Sequence, residues 1–315
     1  MKTITQAFRT LLVFMLIFYC VGVYAQRKEV SYFSDSVEIC PLADKELIDS
    51  CYNLLDRNMM LETDGIYGQI AVIDATTSEV LAWASLEKKL DGDCGWCGDM
   101  VYVPFKKQVC STDIFVPFIA AKCLEKSNTS LGKMVDTECG ILEVNDSLKI
   151  RDHNWRRGGY GKVTFEKALL MKSRIGMYKA FMTMPNGADL WEQAYDTIQK
   201  SNAIELAISF NQMYHQKSSL EYVKIIATGI FEKTGIQHRL APRGIKLAGI
   251  YNILQCDDNK RSSDEFTFVG CFPADNPKYT IGMVVVRPHK LPVTIGMLSK
   301  EVNQLIEWLL IHRKN

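Results

Sequence analysis

The chain has 315 residues, of which 47% are hydrophobic and 23% are charged, with 37 Lys and Arg residues against 36 Asp and Glu residues. This composition excludes a disordered chain, a collagen-like repeat and a coiled coil, and the length suffices for one large domain or two small ones. The balanced charge argues against a nucleic-acid-binding protein, which would carry a clearly basic face. The ten cysteines exceed what a typical cytosolic enzyme contains, so the cellular compartment is the first question.

The amino terminus predicts export. Lys2 and Arg9 precede an uncharged apolar segment, residues 11–23, and the Val23-Tyr24-Ala25 sequence fits a signal peptidase cleavage site. Because this segment is shorter than the ~20 residues that cross a bilayer comfortably, we interpret residues 1–25 as a cleaved signal peptide. An uncleaved signal anchor is the alternative, and only in that case would the protein be attached to a membrane.

Removal of the signal peptide leaves nine cysteines, an odd number, so at least one thiol is free or pairs with another chain. Cys94 and Cys97 stand in an acidic loop, without the strand–helix context of a redox dithiol or two further ligands for zinc. We interpret this pair as part of a surface disulfide, with Cys110 as another candidate partner. No metal site is expected.

The hydrophobic pattern predicts strands near both ends of the domain and helices between them. In chain order the predicted elements are a short helix near 43–55, strands at 68–74 and 79–84, helices at 112–126, 162–184 and 204–214, strands at 265–271 and 279–286, and an amphipathic helix at 298–309. This order indicates an α+β fold, in which an antiparallel sheet is flanked by helices and an all-helical subdomain occupies roughly residues 100–225. We divide the chain into the signal peptide (1–25), a short amino-terminal segment (26–62) and one domain (63–315).

Four segments resemble the transpeptidase domain of penicillin-binding proteins, the serine acyl-transferases that cross-link peptidoglycan. Residues 68–85 resemble the first hairpin of that family, residues 115–125 its nucleophile helix, and residues 163–176 the segment that carries its second motif. The late hairpin at residues 268–279 is the most specific stretch. The resemblance covers about residues 62–312 and implies the β-lactamase-like fold of this family.

The chemistry of the family depends on three short motifs. In Ser-x-x-Lys, a nucleophilic hydroxyl lies one helical turn from an amine that takes its proton. Ser-x-Asn relays protons, and Lys-Thr-Gly on an edge strand binds the substrate carboxylate and helps to form the oxyanion hole. Matches to these patterns begin at Ser85, Ser130, Ser209 and Lys233, but each stands in an unsuitable local context, and we interpret them as chance matches.

Alignment on the flanking residues places a substitution at every motif. The family serine falls on Asp113 and its lysine on Val116, the second motif falls on Lys172, Ser173 and Arg174, and the third falls on Ile250, Tyr251 and Asn252. Nucleophile, base and carboxylate-binding cation are thus all replaced, so no catalytic residue is expected. We predict that Asp113, ionised at a helix start, forms an ion pair with Lys172 or Arg174 across the former cleft.

The resemblance implies an exported pseudoenzyme with a binding or regulatory role in the periplasm or cell envelope of a Gram-negative-type bacterium. The expected partner is a peptidoglycan fragment or an envelope protein, with no cofactor and no nucleic acid. The first alternative is an active D,D-transpeptidase that binds penicillin through a displaced nucleophile, Ser111 or Ser130. The second is a disulfide-bearing structural protein. A basic patch at Arg156, Arg157 and Lys162 is interpreted as a solvated loop.

Overall fold

The computed structural model describes residues 44–89, 100–102, 110–145, 148–195, 200–215, 221–258, 261–289 and 295–313. The signal peptide and the Cys94–Cys97 pair lie outside the described residues, so the predictions made for them are not addressed by the structure. All of the described residues belong to one compact unit. Within these ranges, no helix combines the length and the apolar character that crossing a membrane would require.

The strands in chain order are β1 (Tyr67–Asp74), β2 (Val80–Lys88), β3 (Met100–Tyr102), β4 (Cys110–Ser111), β5 (Met134–Asp136), β6 (Ile141–Glu143), β7 (Lys149–Arg151), β8 (Lys162–Thr164), β9 (Lys200–Ser201), β10 (Ala248–Asp258), β11 (Arg261–Phe272) and β12 (Tyr279–Pro288). Six of them form one sheet in the order β10–β11–β12–β1–β2–β3. Every neighbouring pair in this sheet is antiparallel. Strand β10 is therefore an edge strand, and this position matters for the candidate site.

The helices are α1 (Lys45–Arg57), α2 (Val116–Lys126), α3 (Phe165–Leu170), α4 (Arg174–Phe181), α5 (Gly187–Tyr195), α6 (Ala203–His215), α7 (Glu221–Gly229) and α8 (Gly296–His312). A π-helical turn, Asn58–Glu62, continues α1. A 3₁₀ turn, Thr112–Phe115, leads into α2, and a second one lies at Trp155–Arg157.

Helices cover both faces of the central sheet. Gly68 of β1 packs closely against α1, since a Cβ atom at this position would lie only 2.7 Å from the Leu55 side chain. The next residue, Gln69, instead accepts a hydrogen bond of 3.0 Å from the backbone N–H of Ala203 at the start of α6. Because successive strand residues face opposite sides of a sheet, α1 and α6 lie on opposite faces. This double cover explains why seven of the eight residues of β1 are buried.

The α+β class and the antiparallel sheet flanked by helices on both sides are confirmed, but the prediction of an all-helical subdomain is wrong. Three short antiparallel strand pairs, β4–β9, β5–β8 and β6–β7, lie between the helices of this region. Each of these strands has only two or three residues, which is too few for an alternating pattern to be recognised in the sequence.

Two helix predictions also differ from the structure. The sequence predicts one helical stretch over 162–184, whereas residues 162–164 form β8 and two helices follow. Lys172 separates α3 from α4 with a φ of 54°, a left-handed conformation that ends a helix. The helix predicted from residue 112 begins at Val116, after the 3₁₀ turn, so neither Thr112 nor Asp113 is its N-cap residue.

Candidate functional site

Three segments that are distant in the sequence meet at the candidate site. They are the 3₁₀ turn before α2, the junction between α3 and α4, and the edge strand β10. Asn252 of β10 donates a hydrogen bond of 3.1 Å from Nδ2 to Oδ1 of Asp113. Its Oδ1 accepts a hydrogen bond of 2.9 Å from Nζ of Lys172. The side-chain amide thus links a carboxylate and an ammonium group from opposite sides of the cleft.

Lys172 is the cation at the centre of this group. Besides Asn252, its Nζ contacts the carbonyl oxygen of Tyr251 at 3.3 Å. Burial lowers the pKa of Lys172 to about 8, and the negative charge of Asp113 partly opposes that shift. With this pKa the amine is mostly protonated at neutral pH, and in both described contacts it is the hydrogen-bond donor.

Asp113 and Val116 occupy the positions aligned with the family nucleophile and base. Asp113 is partly buried, and the described hydrogen bond to it comes from Asn252. Val116 is fully within the core at the start of α2. An aliphatic side chain can neither accept nor donate a proton, so the turn that would activate a serine carries no base at this position.

The predicted ion pair of Asp113 with Lys172 or Arg174 stays a prediction. Asp113 and Lys172 are linked by hydrogen bonds through Asn252, and the charge of Asp113 raises the pKa of Lys172 against the effect of burial. Arg174 is exposed at the first position of α4. Its predicted pairing with Asp113 stays a prediction.

Ser173 has a structural role in the fold. Its Oγ accepts a hydrogen bond of 3.0 Å from the backbone N–H of Gly176 and thereby caps α4. The same hydroxyl donates to Oδ2 of buried Asp152 at 2.8 Å. Oδ1 of Asp152 also accepts a hydrogen bond of 3.1 Å from the backbone N–H of Ile175. A carboxylate beside a helix amino terminus is stabilised by the free N–H groups and the helix dipole.

At Tyr251, the outward-facing backbone groups of the edge strand are hydrogen-bonded to a side chain. Nε2 of buried Gln237 donates to the carbonyl oxygen of Tyr251 at 2.7 Å, and Oε1 of Gln237 accepts from the Tyr251 N–H at 2.9 Å. The amide of Gln237 therefore takes the place that the peptide group of a neighbouring strand would occupy. Strand alternation places the buried Ile250 on the same face as Asn252.

A histidine and a tyrosine lie beside Lys172. The hydroxyl of Tyr160 is 2.9 Å from Nε2 of His153 and 3.4 Å from the carbonyl oxygen of Met171. Desolvation lowers the pKa of His153, Asp152 opposes this shift, and the charges of Lys172 and Arg157 lower it further. Burial, together with the charge of Asp152, raises the pKa of Tyr160 to about 12. Both rings are therefore neutral at pH 7.

The four chance matches lie in separate environments. Ser85 is buried in β2 and contacts the hydroxyl of Tyr67. Ser130 lies in an exposed turn, where its Oγ accepts a hydrogen bond from the backbone N–H of Gly132. Ser209 is exposed on α6, and Lys233 is exposed in the turns that follow α7.

Two members of the site escape sequence reasoning. Gln237 binds only backbone atoms of Tyr251, so no side-chain pattern marks it. Asp152 has no sequence signal either, because its partners Ser173 and Ile175 lie 21 and 23 residues further along the chain. Across the described ranges, no group of three or more His, Cys, Asp or Glu residues is arranged to hold a metal ion.

Comparison with known proteins relates the chain to others by fold alone. No protein-family model matches it, and no curated protein matches it. Among solved structures, a peptidoglycan glycosyltransferase from Burkholderia ambifaria is 17% identical with a TM-score of 0.63, over 85% of this chain and 96% of the other. The transpeptidase domain of Burkholderia pseudomallei penicillin-binding protein 3 is also 17% identical, with a TM-score of 0.64, over 86% of this chain and 96% of the other.

Penicillin-binding protein 2B from Streptococcus pneumoniae is 11% identical with a TM-score of 0.66, over 87% of this chain and 60% of the other. The described part of the chain therefore has the fold of a penicillin-binding protein transpeptidase domain. At these identities the similarity shows the fold and leaves the activity to be argued from the residues of the site.

Proposed function

We propose that this protein is an exported, penicillin-binding-protein-like domain that has lost acyl-transferase activity and acts as a binding or regulatory pseudoenzyme in peptidoglycan biology. The observation that carries the proposal is the hydrogen-bonded series Asp113–Asn252–Lys172. It links polar groups from the three aligned segments to one another. A catalytic site needs a nucleophile that is activated by an adjacent base, and this series provides neither.

The acid–base chemistry of acyl transfer is missing at the aligned positions. A carboxylate such as Asp113 would form a hydrolysable anhydride in place of a stable ester. Val116 removes the amine that would activate a hydroxyl on the preceding turn. Lys172 is mostly protonated at neutral pH because its pKa is about 8, and its two described hydrogen bonds are both donated. At the aligned nucleophile and base positions, therefore, no hydroxyl stands beside a group that could take its proton.

The edge strand also argues against substrate binding in the usual manner. A peptide that paired with β10 at Tyr251 would have to displace the Gln237 amide from two hydrogen bonds. It would also compete with Lys172 for the Tyr251 carbonyl oxygen. Ile250, where the family has a cation, is completely buried and offers no charge to a substrate carboxylate.

The sequence and the fold support a proposal for the location and the partner. The signal sequence supports export to the periplasm or cell envelope of a Gram-negative-type bacterium, where proteins with this fold would meet peptidoglycan. A peptidoglycan fragment or an envelope protein would then bind to the retained fold. The mass of the chain recovered from the periplasmic fraction tests the first step, since cleavage predicts a protein that begins at Gln26.

Covalent labelling with fluorescent penicillin, followed by intact-mass measurement, tests the loss of activity. We expect no adduct, while an active transpeptidase treated in parallel is labelled completely. An adduct that disappears in Ser111→Ala or Ser130→Ala would establish an active enzyme with a displaced nucleophile and overturn the proposal. The same variants, carried through circular dichroism, show that any loss of labelling is not a loss of folding.

A further inference from the structure

An exposed turn beside the candidate site concentrates positive charge around one tryptophan. The guanidinium of Arg151 lies 5.4 Å from the centroid of the Trp155 ring, and that of Arg156 lies 5.3 Å from it. Arg157 follows in the same 3₁₀ turn and is exposed, as are the other two arginines. These four residues, Arg151, Trp155, Arg156 and Arg157, are called the arginine surface below.

Within the described parts of the chain, the three arginines of this surface form no ion pair. Among the ion pairs of the described residues, none includes Arg151, Arg156 or Arg157. Lys149 on the same strand as Arg151 shows the contrast, because it pairs with Glu143 on the neighbouring strand. The one carboxylate within the loop, Asp152, is buried and bound to Ser173. Like charges held together without counter-charges create a local positive potential that attracts anions.

The loop that carries these arginines is fixed in position. Asn154 donates a hydrogen bond of 3.0 Å from Nδ2 to the carbonyl oxygen of Gly159. Gly159 has a φ of 70°, and a Cβ atom there would lie 2.2 Å from the backbone nitrogen of Gly140, so only glycine fits. Stacking on Trp155 further restricts the two guanidinium groups. A preorganised surface loses less conformational entropy when a ligand binds.

The positive potential continues into the candidate site. The charges of Lys172 and Arg157 both lower the pKa of His153. Tyr160 contacts the same imidazole and the backbone of Met171, next to Lys172. The arginine surface and the Asp113–Asn252–Lys172 group are therefore neighbours, and a chain-like anion could extend from one to the other.

We propose that the arginine surface binds an acidic polysaccharide through its carboxylate or sulfate groups. Several cations spread over an exposed turn suit an extended polymer better than a single small anion. Nucleic acid is disfavoured because the whole chain is nearly neutral, with 37 basic against 36 acidic residues, and the basic region is confined to one loop. The choice of a glycan rests on the proposed function, which places the protein in the cell envelope.

Fluorescence titration of the purified full chain with a heparin oligosaccharide tests this inference, with neutral dextran of similar length as the comparison. We expect saturable binding of heparin and none of dextran. In Arg156→Ala/Arg157→Ala, binding at about 50 mM salt should weaken about tenfold, and the slope of log K against log salt should fall by about one for each arginine removed. Arg156→Lys/Arg157→Lys retains the charge and should keep most of the binding.

Lys126→Ala/Lys233→Ala is the matched control, because both lysines are exposed cations on other elements, and it should bind like the wild type. The inference is overturned if the arginine variant binds heparin as well as this control. It is also overturned if a short DNA duplex binds more tightly than heparin at the same salt. Penicillin labelling is a separate measurement, so a failure here and a failure of the proposed function are distinguishable.

Discussion

The ammonium nitrogen of Lys172 lies 2.9 Å from Oδ1 of Asn252. Because the same side-chain amide donates to Asp113 at 3.1 Å, the dipole of Asn252 is aligned between a cation and an anion. The three residues belong to the α3–α4 junction, the edge strand and the turn before α2. A single amide thus connects the helical region to the edge of the sheet, among residues that the sequence alignment assigns to the motif positions of the family.

Lys172 should make the stability of the protein depend on pH. Its pKa falls from 10.5 to about 8 on folding, so between these values the unfolded chain binds a proton that the native chain has released. The free energy of unfolding therefore rises as the pH increases from 8 to 10.5. Urea unfolding of the wild type and of Lys172→Gln at pH 7, 8.5 and 10 measures this effect. As the pH rises, the free energy of unfolding of the wild type should increase relative to that of Lys172→Gln. A difference that stays constant with pH would contradict this prediction.

Gln237 should be important for the stability of the edge strand. Gln237→Ala leaves the buried N–H of Tyr251 without its partner, whereas the Tyr251 carbonyl oxygen keeps its 3.3 Å contact with Lys172. The loss of one buried partner should cost about 1 to 3 kcal/mol. Gln237→Glu keeps an oxygen that can accept from the Tyr251 N–H but replaces the Nε2 donor with a second oxygen facing the Tyr251 carbonyl. This variant should therefore also be less stable than the wild type. Gln193→Ala, an exposed position on α5, serves as the control and should change the free energy of unfolding by less than about 0.5 kcal/mol. Equal stability of the Gln237 and Gln193 variants would show that the amide contact is unimportant.

Ser173 and Asp152 should act as one unit. Ser173→Ala removes the cap of α4 and should cost about 1 kcal/mol, while Asp152→Ala leaves the Ile175 N–H without its buried acceptor and should cost about 2 to 3 kcal/mol. In the double variant the two costs should not add, with a coupling of at least about 0.5 kcal/mol from a double-mutant cycle. Additive costs would mean that the hydroxyl–carboxylate contact does not contribute to stability.

The described cysteines should differ sharply in reactivity. Burial raises the pKa of the Cys123 thiol to about 11 and raises the pKa of the Cys51 and Cys271 thiols further, whereas Cys139 is a free and exposed thiol. Since the thiolate is the reactive form, iodoacetamide should modify Cys139 in the native protein and the three buried thiols only after denaturation. Peptide mass spectrometry before and after addition of guanidinium measures this order, with Cys139→Ser as the control. Modification of Cys51 in the native state at the rate of Cys139 would contradict it.

Much of the fold could be predicted because its signals are local. Alternating and continuous apolar runs marked β1, β2, β11 and β12, and the apolar stripe from Leu298 to Leu309 marked α8. The two- and three-residue strand pairs could not be found in this way, since they are held by tertiary packing and not by an alternating pattern. The break between α3 and α4 depends on the left-handed conformation of Lys172, a residue type that ordinarily continues a helix.

For the candidate site too, some features are accessible from the sequence and others only from the tertiary structure. The sequence by itself determined the residue types, and its alignment on flanking residues predicts that an acid, an aliphatic residue and a cation replace the groups that the family has there. Only the tertiary structure decided that Asp113, Asn252 and Lys172 bond in series and that Gln237 closes the edge strand at Tyr251. These contacts join segments far apart in the chain. They arise from how the helices pack on the sheet, and no local pattern of residues encodes that packing.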